Sequence, residues 1–270
     1  MKPTKNNKPY TIITGASSGL GKEFAIEYAR QNRNLILIAL PGRNLKQLCE
    51  ELERLYGIRA LYFESDLTDQ TALSELARLI KNNYSVNQLI NNAGIGGTKR
   101  FTDASVEYLD KIIQLNIKAT TMLTHLMLPE LLLHKKALIL NVASMAAFGP
   151  IPYKTIYPAS KAFIYSFTRS LSEELRGTGV RVVVVNPGQI VTNPDVTLRI
   201  IRQGTMAKFG LLTAGKITRV TISALARGKE VIIPGFINKL NRLLLKWVPE
   251  YLRLSLLKRA IGKELTMGEL

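Results

Sequence analysis

Hydrophobic residues in this chain fall into short, nearly unbroken runs separated by longer segments with a helical period. Seven such runs occur, at residues 10–14, 35–40, 60–65, 88–91, 137–144, 180–188 and 230–235. A strand that is covered on one face alternates apolar with polar residues, whereas a strand that is covered on both faces is apolar throughout. The runs therefore predict seven strands of a buried parallel sheet.

The segments between these runs carry apolar residues at three- and four-residue spacing. The clearest examples are Leu45, Leu48, Leu52 and Leu55, and then Leu73, Leu76, Leu79 and Ile80. Strands that alternate with amphipathic helices form right-handed βαβ units and hence a doubly wound sheet. No linker or internal repeat interrupts the pattern, so we expect one α/β domain over residues 1–235.

Residues 236–270 form a separate helical extension in this interpretation. A stripe with a helical period comprises Ile237, Leu240, Leu243, Leu244, Trp247, Val248 and Tyr251. Pro249 should divide the extension into two helices. Basic residues outnumber acidic ones there, and a basic amphipathic helix with an edge Trp can lie on an anionic membrane. The more usual alternative is a helix pair packed over the substrate pocket or against a second subunit.

Composition adds one unusual feature, a formal net charge of +17. This charge indicates attraction to an anionic partner or simple solubility, and alone it does not choose between nucleic acid, phosphorylated substrates and lipid. The single cysteine, Cys49, excludes an intramolecular disulfide and is typical of a reducing compartment. The N-terminus lacks a signal-like apolar region and no 20-residue apolar run occurs, so we expect a cytoplasmic protein. His125 and His134 have no cysteine partners at ligand spacing, and no metal site is expected.

A glycine-rich turn follows the first predicted strand directly. The stretch TGASSGLG runs from Thr14 to Gly21, with glycines at positions 15, 19 and 21. Between a strand and a helix, such a turn allows the backbone to approach a pyrophosphate, and the helix N-terminus points its amides at the anion. The turn predicts a dinucleotide site and a Rossmann-type fold.

The end of the second strand bears on which dinucleotide binds. An acidic residue there would accept a hydrogen bond from the ribose of NAD, but the chain has Ala39, Leu40 and Pro41. Arg43 follows and could contact a 2′-phosphate. This favours NADP(H), while NAD(H) remains possible.

The stretch YPASK places Tyr157 and Lys161 four residues apart. That spacing alone occurs by chance in a chain of this size, so its interpretation depends on the other motifs in the chain. These motifs are NNAG at 91–94, Asn116, Ser144 thirteen residues before the tyrosine, and NPGQIVT at 186–192. In this order, together with the glycine-rich turn, the motifs resemble the short-chain dehydrogenase/reductase family over about residues 8–235.

This resemblance implies a catalytic tetrad of Asn116, Ser144, Tyr157 and Lys161. Tyr157 would be the general acid in ketone reduction and the general base in alcohol oxidation. Lys161, together with the positive charge of the oxidised nicotinamide, would lower the pKa of that tyrosine, and the lysine would also hydrogen-bond the nicotinamide ribose. Ser144 would hold the substrate carbonyl oxygen, and Asn116 would hold a water that connects the lysine to solvent.

The resemblance also implies a set of cofactor-binding residues. They are Gly15, Ser17, Ser18, Gly19, Leu20, Gly21, Arg43, Asp66, Leu67, Asn92, Ala93, Gly94, Tyr157, Lys161, Pro187, Gly188, Ile190 and Thr192. Asp66 would contact the adenine. Asn91, Ala93 and Gly94 would lie along the adenosine ribose, and the alternative role for Asn91 is a tie between central strands. Residues 193–210 are a candidate substrate lid.

The function that follows is an NAD(P)(H)-dependent oxidoreductase that interconverts a ketone and a secondary alcohol. The apolar lid residues favour an apolar or lipid-like substrate of the 3-oxoacyl, sphingoid or steroid-like kind. A homodimer or homotetramer is expected from the family. The alternatives are a non-catalytic dinucleotide sensor and a basic membrane-surface protein; no nucleic-acid-binding motif is visible.

Overall fold

A computed structural model of the chain describes residues 8–191, 210–245 and 247–267. Its main sheet contains seven strands, as predicted. They are β1 (Tyr10–Thr14), β2 (Asn34–Ala39), β3 (Ala60–Glu64), β4 (Val86–Asn91), β5 (Ala137–Val142), β6 (Val180–Val185) and the two-residue β9 (Val231–Ile232). Several of the predicted apolar runs continue beyond the ends of the observed strands. The residues after those ends form the loops of the site described below.

All neighbours in this sheet are parallel, in the order β3-β2-β1-β4-β5-β6-β9. The order reverses between β1 and β4, because the chain first builds outwards from β1 and then crosses to its other side. In open α/β sheets a crevice forms at this point, beyond the carboxyl ends of the strands, and ligands bind there.

Six longer helices and one short helix, α4, accompany the sheet, and the longer helices cover its two faces. In chain order the helices are α1 (Gly19–Arg30), α2 (Leu45–Tyr56), α3 (Gln70–Asn83), α4 (Val106–Ile113), α5 (Thr120–Leu131), α6 (Ile156–Glu174) and α7 (Ala214–Ala226). One core cluster joins the sheet to α1, α2 and α7, for example through Phe24 and Ile217. The other joins it to α3, α5 and α6, for example through Leu73 and Met127. The predicted doubly wound arrangement is therefore present.

Three features of the fold were not expected from the sequence. A π-helical segment, Gln114–Ala119, connects α4 to α5. Two short strands, β7 (Ile190–Val191) and β8 (Leu212–Thr213), form a separate parallel pair. A 3₁₀ turn, Met145–Phe148, follows β5. The π-helical segment interrupts the helical run from α4 to α5, whereas the 3₁₀ turn follows the carboxyl end of β5 and β7 follows that of β6.

The extension forms two helices, α8 (Phe236–Leu244) and α9 (Glu250–Met267), and Pro249 lies between them as predicted. The helix pair was expected to pack over the pocket or against a second subunit, and α9 does approach the cleft beside Tyr157, because its Gly262 lies next to the Tyr153 ring. Leu240, Leu243 and Trp247 are exposed, and α8 instead docks through polar side chains. Over the described residues, no helix combines the length and the apolar character that crossing a membrane would require.

Candidate active site

Tyr157 lies in the first turn of α6, with Pro158 directly after it. A proline costs little there, because the first amides of a helix have no intrahelical acceptor. Lys161 is one turn further along and only 5% exposed. Its ammonium nitrogen Nζ lies 5.8 Å from the centre of the Tyr157 ring and donates a 2.9 Å hydrogen bond to the Val142 carbonyl. Helix α6 thus holds both side chains against the end of β5.

The electrostatics of this pair differ from the sequence expectation. We expected Lys161 to lower the pKa of Tyr157, but burial raises it, and the hydrogen-bonding contact of Ser144 only partly opposes that rise. Burial also lowers the pKa of Lys161 to about 8. Desolvation disfavours the charged form of each group, so the neutral tyrosine is strongly preferred. The protein alone therefore keeps a proton on Tyr157, as a proton donor requires.

Ser144 follows β5 and begins the 3₁₀ turn. Its hydroxyl oxygen accepts a 3.1 Å hydrogen bond from the Ala146 amide. The hydroxyl proton is then directed elsewhere, and the same side chain contacts the Tyr157 hydroxyl. The serine is both a local cap and a neighbour of the tyrosine.

Asn116 occupies the π-helical segment and is 1% exposed. Its amide nitrogen donates to the Ile95 carbonyl and to the Ser160 hydroxyl, both at 2.9 Å, and its amide oxygen accepts from the Ile95 amide at 2.9 Å. The Ser160 hydroxyl in turn donates to the Tyr157 carbonyl at 2.7 Å. Asn116 therefore ties the loop after β4 to the start of α6. Such π-helical segments are frequent at functional sites.

Two glycines of that loop face the catalytic side chains. A methyl group on Gly96 would lie 2.6 Å from Cδ2 of the Tyr157 ring. On Gly94 it would lie 3.1 Å from Asn116 Oδ1 and 3.2 Å from Lys161 Nζ. The absence of side chains there leaves the lysine and the asparagine facing one open space.

The glycine-rich turn lies beside this cluster, between β1 and α1. Gly15 and Gly19 have φ angles of +64° and +53°, a region that L-residues with a side chain adopt at a cost. A methyl group on Gly21 would collide with the Gly15 carbonyl. Ser18 precedes α1 and gives its amides no side-chain cap within the described part of the chain. Free first-turn amides in a tight turn suit a pyrophosphate, so these residues fit a dinucleotide.

The remaining residues of this turn and of the loop after β4 meet in one place. Ser17 is half-buried, Ser18 is exposed and Leu20 is buried in the core. Asn92 donates from its side chain to the Thr14 and Gly15 carbonyls at 2.9 and 3.3 Å. This bond places Ala93 and Gly94 alongside the turn. Asn91 instead has the structural role, because its amide donates to Thr124 and Asn141 at 2.9 and 2.8 Å.

The predicted adenosine end is more open. Arg43 lies exposed in the loop after β2, and this loop is held by a 3.2 Å hydrogen bond from the Gly42 amide to Glu64. Asp66 is exposed after β3, where its carboxylate accepts from the amide and hydroxyl of Thr68. Leu67 is buried beneath it at 7% exposure. These residues lie at the carboxyl edges of β2 and β3, on the side of the glycine-rich turn.

On the other side of the crevice, Pro187 and Gly188 follow β6. The Pro187 carbonyl accepts from the Met145 amide at 2.8 Å, which links this loop to the turn after Ser144. Gly188 is covered by Asn238, and Ile190 lies in β7. Thr192 and residues 193–209 of the candidate lid lie outside the described residues.

Three residues that the sequence analysis did not select belong to this site. Thr14 accepts from the Asn92 and Ala93 amides at 3.0 Å each and so ties β1 to the loop after β4. Ser160 links Asn116 to Tyr157, and Gly96 makes room for the tyrosine ring. Their sequence signals were slight, since Ser160 falls inside YPASK as an ordinary helix residue and Thr14 as a strand end.

Comparison with known proteins agrees with this geometry. The family model for short chain dehydrogenase matches residues 9–200. An uncharacterized oxidoreductase of Staphylococcus epidermidis is 32% identical over 70% of this chain and 80% of its own length. The 17-beta-hydroxysteroid dehydrogenase type 3 of Mus musculus is 33% identical over 68% of this chain and 60% of its own. A short-chain dehydrogenase from Sphingobium yanoikuyae, solved in complex with NADPH, superimposes with a TM-score of 0.76 at 27% identity, over 84% of this chain and 88% of that one. The chain therefore belongs to the short-chain dehydrogenase family of oxidoreductases.

Proposed function

We propose that this protein reduces an apolar ketone with NADPH, or oxidises the corresponding secondary alcohol with NADP⁺. The observation that carries the proposal is the cluster of Ser144, Tyr157 and Lys161 at the carboxyl edge of the sheet, next to a glycine-rich turn with free helix amides. A hydroxyl pair beside a buried lysine supplies what carbonyl reduction needs from the protein: a hydrogen bond to the oxygen and a proton for it.

The chain's own residues divide this chemistry between them. When bound, the dinucleotide supplies the hydride. Tyr157, kept neutral by burial, transfers its phenolic proton to the carbonyl oxygen as negative charge develops there. The Ser144 hydroxyl lies beside the Tyr157 hydroxyl and donates a hydrogen bond to the substrate carbonyl oxygen. In the oxidation direction Tyr157 takes the alcohol proton instead.

Lys161 and Asn116 serve the tyrosine in this proposal. Transfer of the proton leaves a phenolate on Tyr157. The charged ammonium of Lys161, 5.8 Å from the centre of the tyrosine ring, stabilises that phenolate. Asn116 holds the loop whose Gly94 leaves space in front of the lysine. That space is the route by which a proton returns to the tyrosine.

The preference for the phosphorylated dinucleotide rests on the loop after β2. The strand ends at Ala39 without a carboxylate, and Arg43 is exposed in the loop where it can meet a phosphate. The carboxylate of Glu64 opposes this preference, but it is engaged with the Gly42 amide.

The apolar substrate class rests on the cleft beside the tyrosine. Apolar or aromatic side chains that line it include Phe101, Tyr108, Leu109, Ile112 and Tyr153. A relative named for a hydroxysteroid acts, by that name, on an apolar alcohol. We infer that the substrate is an apolar, lipid-like ketone of the 3-oxoacyl, sphingoid or steroid-like kind.

The test is steady-state oxidation of NADPH against a panel of steroid, 3-oxoacyl and small polar ketones, with wild type and Tyr157→Phe. We expect turnover of at least one apolar ketone and a loss of about 10²–10⁴-fold in the variant, with NADPH binding retained. Tyr165→Phe is the matched control, since it removes a hydroxyl from the same helix that bonds Arg242 and not the site. Full activity in Tyr157→Phe would refute the mechanism.

A further inference from the structure

Helix α8 packs on the domain with its polar side inward. Asn238 is 4% exposed and donates to the carbonyls of Pro234 and Gly210 at 2.8 and 3.1 Å. Arg242, one turn on, donates to the Tyr165 hydroxyl at 3.2 Å and stacks 4.6 Å from the centre of the Phe148 ring. These two residues share one face of the helix, and that face is the one held by the protein.

The opposite face of α8 is apolar and exposed. The side chains of Phe236, Leu240, Leu243 and Leu244 lie on it and are 79%, 42%, 54% and 48% exposed. In a surface helix of a globular protein the apolar stripe normally faces the core and the polar face meets water. In α8 the orientation is reversed. Rotating the helix to bury its apolar face would break the contacts of Asn238 and Arg242 with the domain.

Exposed apolar and aromatic side chains also follow α8. Trp247 is 80% exposed, Tyr251 71% and Leu256 64%. An exposed apolar surface of this kind marks a site of contact with another molecule. Aromatic side chains with a polar edge, such as Trp and Tyr, are favoured at the boundary between water and lipid.

Charge decides between the two occupants that such a surface suits. Lys239 lies on the flank of the stripe on α8, and Lys258 and Arg259 are exposed on α9. A second copy of this chain would bring the same three basic residues to the interface, and like charges oppose that contact. An anionic lipid surface instead attracts these residues while its acyl boundary takes up the apolar side chains.

We propose that the α8–α9 surface, comprising Phe236, Leu240, Leu243, Leu244, Trp247, Tyr251 and Leu256, docks on an anionic lipid bilayer. The helices lie in the plane of the interface, with the apolar stripe in the acyl boundary and the lysines among the headgroups. The docking is independent of the redox chemistry and holds whether or not the protein is a ketone reductase.

Trp247 is the only tryptophan of the chain, so it reports on this surface directly. The experiment adds vesicles of phosphatidylcholine, with or without phosphatidylglycerol, to the full-length protein and records its emission. Exposed Trp247 should shift to shorter wavelength with the anionic vesicles, and brominated lipids should quench it. No shift with either vesicle, or an equal shift with neutral ones, would overturn the proposal. A shift that grows with protein concentration without lipid, together with dimer sedimentation, would assign the surface to a second copy and overturn it too.

Variants separate docking from folding. We expect Leu240→Ser/Leu243→Ser to abolish vesicle flotation, and each of Lys239→Gln and Lys258→Gln to weaken it about fivefold on anionic vesicles at low salt. The matched control is Leu55→Ser/Leu133→Ser, which removes leucines that are 53% and 68% exposed elsewhere. The control should float like wild type. Far-ultraviolet circular dichroism and urea unfolding confirm that each variant is folded, and equal losses in the control and the test pair would contradict the proposal.

Discussion

Replacing Lys161 by methionine should make the protein more stable at neutral pH. The lysine is 5% exposed, and burial lowers its pKa from 10.5 to about 8. Each pKa unit corresponds to about 1.4 kcal/mol, so the folded state carries a penalty of about 3 kcal/mol for the charged lysine at pH 7. Methionine removes this penalty but leaves the Val142 carbonyl without its 2.9 Å donor, at a cost of about 1 kcal/mol. The expected net gain is about 2 kcal/mol.

The difference in unfolding free energy between the variant and wild type should depend on pH. Below pH 8 the lysine is protonated in both states and the penalty is complete. Between pH 8 and pH 10.5 the unfolded chain binds more protons than the folded one, so wild-type stability rises with pH by up to about 1.4 kcal/mol per unit from this group. The variant lacks this rise. Its advantage should therefore shrink as pH increases and reverse near pH 10, where the neutral lysine keeps its hydrogen bond without penalty.

The measurement is urea unfolding of both proteins at pH 7 and pH 10, compared as a difference so that all other titrating groups cancel. Lys46→Met is the control, because Lys46 is an exposed residue whose side chain lies 3.9 Å from Glu50. A Lys161→Met variant that is less stable than wild type at pH 7, or whose stability difference does not change with pH, would refute the reasoning. Reductase activity of the same variant should fall sharply, which separates stability from function.

Three further predictions follow from the packing around the site. Gly96→Ala should lower kcat about 10²-fold with little change in NADPH affinity, because the added methyl would displace the Tyr157 ring; equal losses in both would indicate misfolding. Arg43→Ala should lower the ratio of kcat/KM for NADPH to that for NADH about tenfold, and an unchanged ratio would remove Arg43 from cofactor selection. Asn91→Leu should destabilise the fold by about 1–3 kcal/mol, measured by urea unfolding, because the Asn141 oxygen loses its donor, with the cofactor preference unchanged.

The sheet could be predicted from the sequence because its strands are buried on both faces. The four valines from Val182 to Val185 and the run from Leu35 to Ala39 leave no polar position for a solvent-facing side, and the motif order placed the catalytic groups at the strand ends. Strand β4 was predicted two residues short, since Val86 and Asn87 do not continue the apolar run. The side-chain contacts of polar strand residues, such as that of Asn91 with Asn141, are visible only in the fold.

The parts of the site that escaped prediction depend on contacts far apart in sequence. The π-helical turn at Asn116 has no pattern of its own, and its use becomes clear only when Ile95 and Ser160 meet that side chain. The direction of the Tyr157 pKa shift depends on burial, which the four-residue spacing to Lys161 does not contain. The orientation of α8 was also hidden, because the stripe predicts which residues share a face and not whether that face is covered.

The central claim is that Tyr157 supplies the proton for a hydride transfer from the bound dinucleotide to a ketone. The most direct measurement is a single-turnover reaction with NADPH deuterated at C4 and an apolar ketone found in the panel, with the alcohol product analysed by mass spectrometry. Wild-type protein should give alcohol that carries one deuterium on the former carbonyl carbon, and Tyr157→Phe with NADPH bound should give almost none. Deuterated alcohol formed equally fast by the variant would contradict the account.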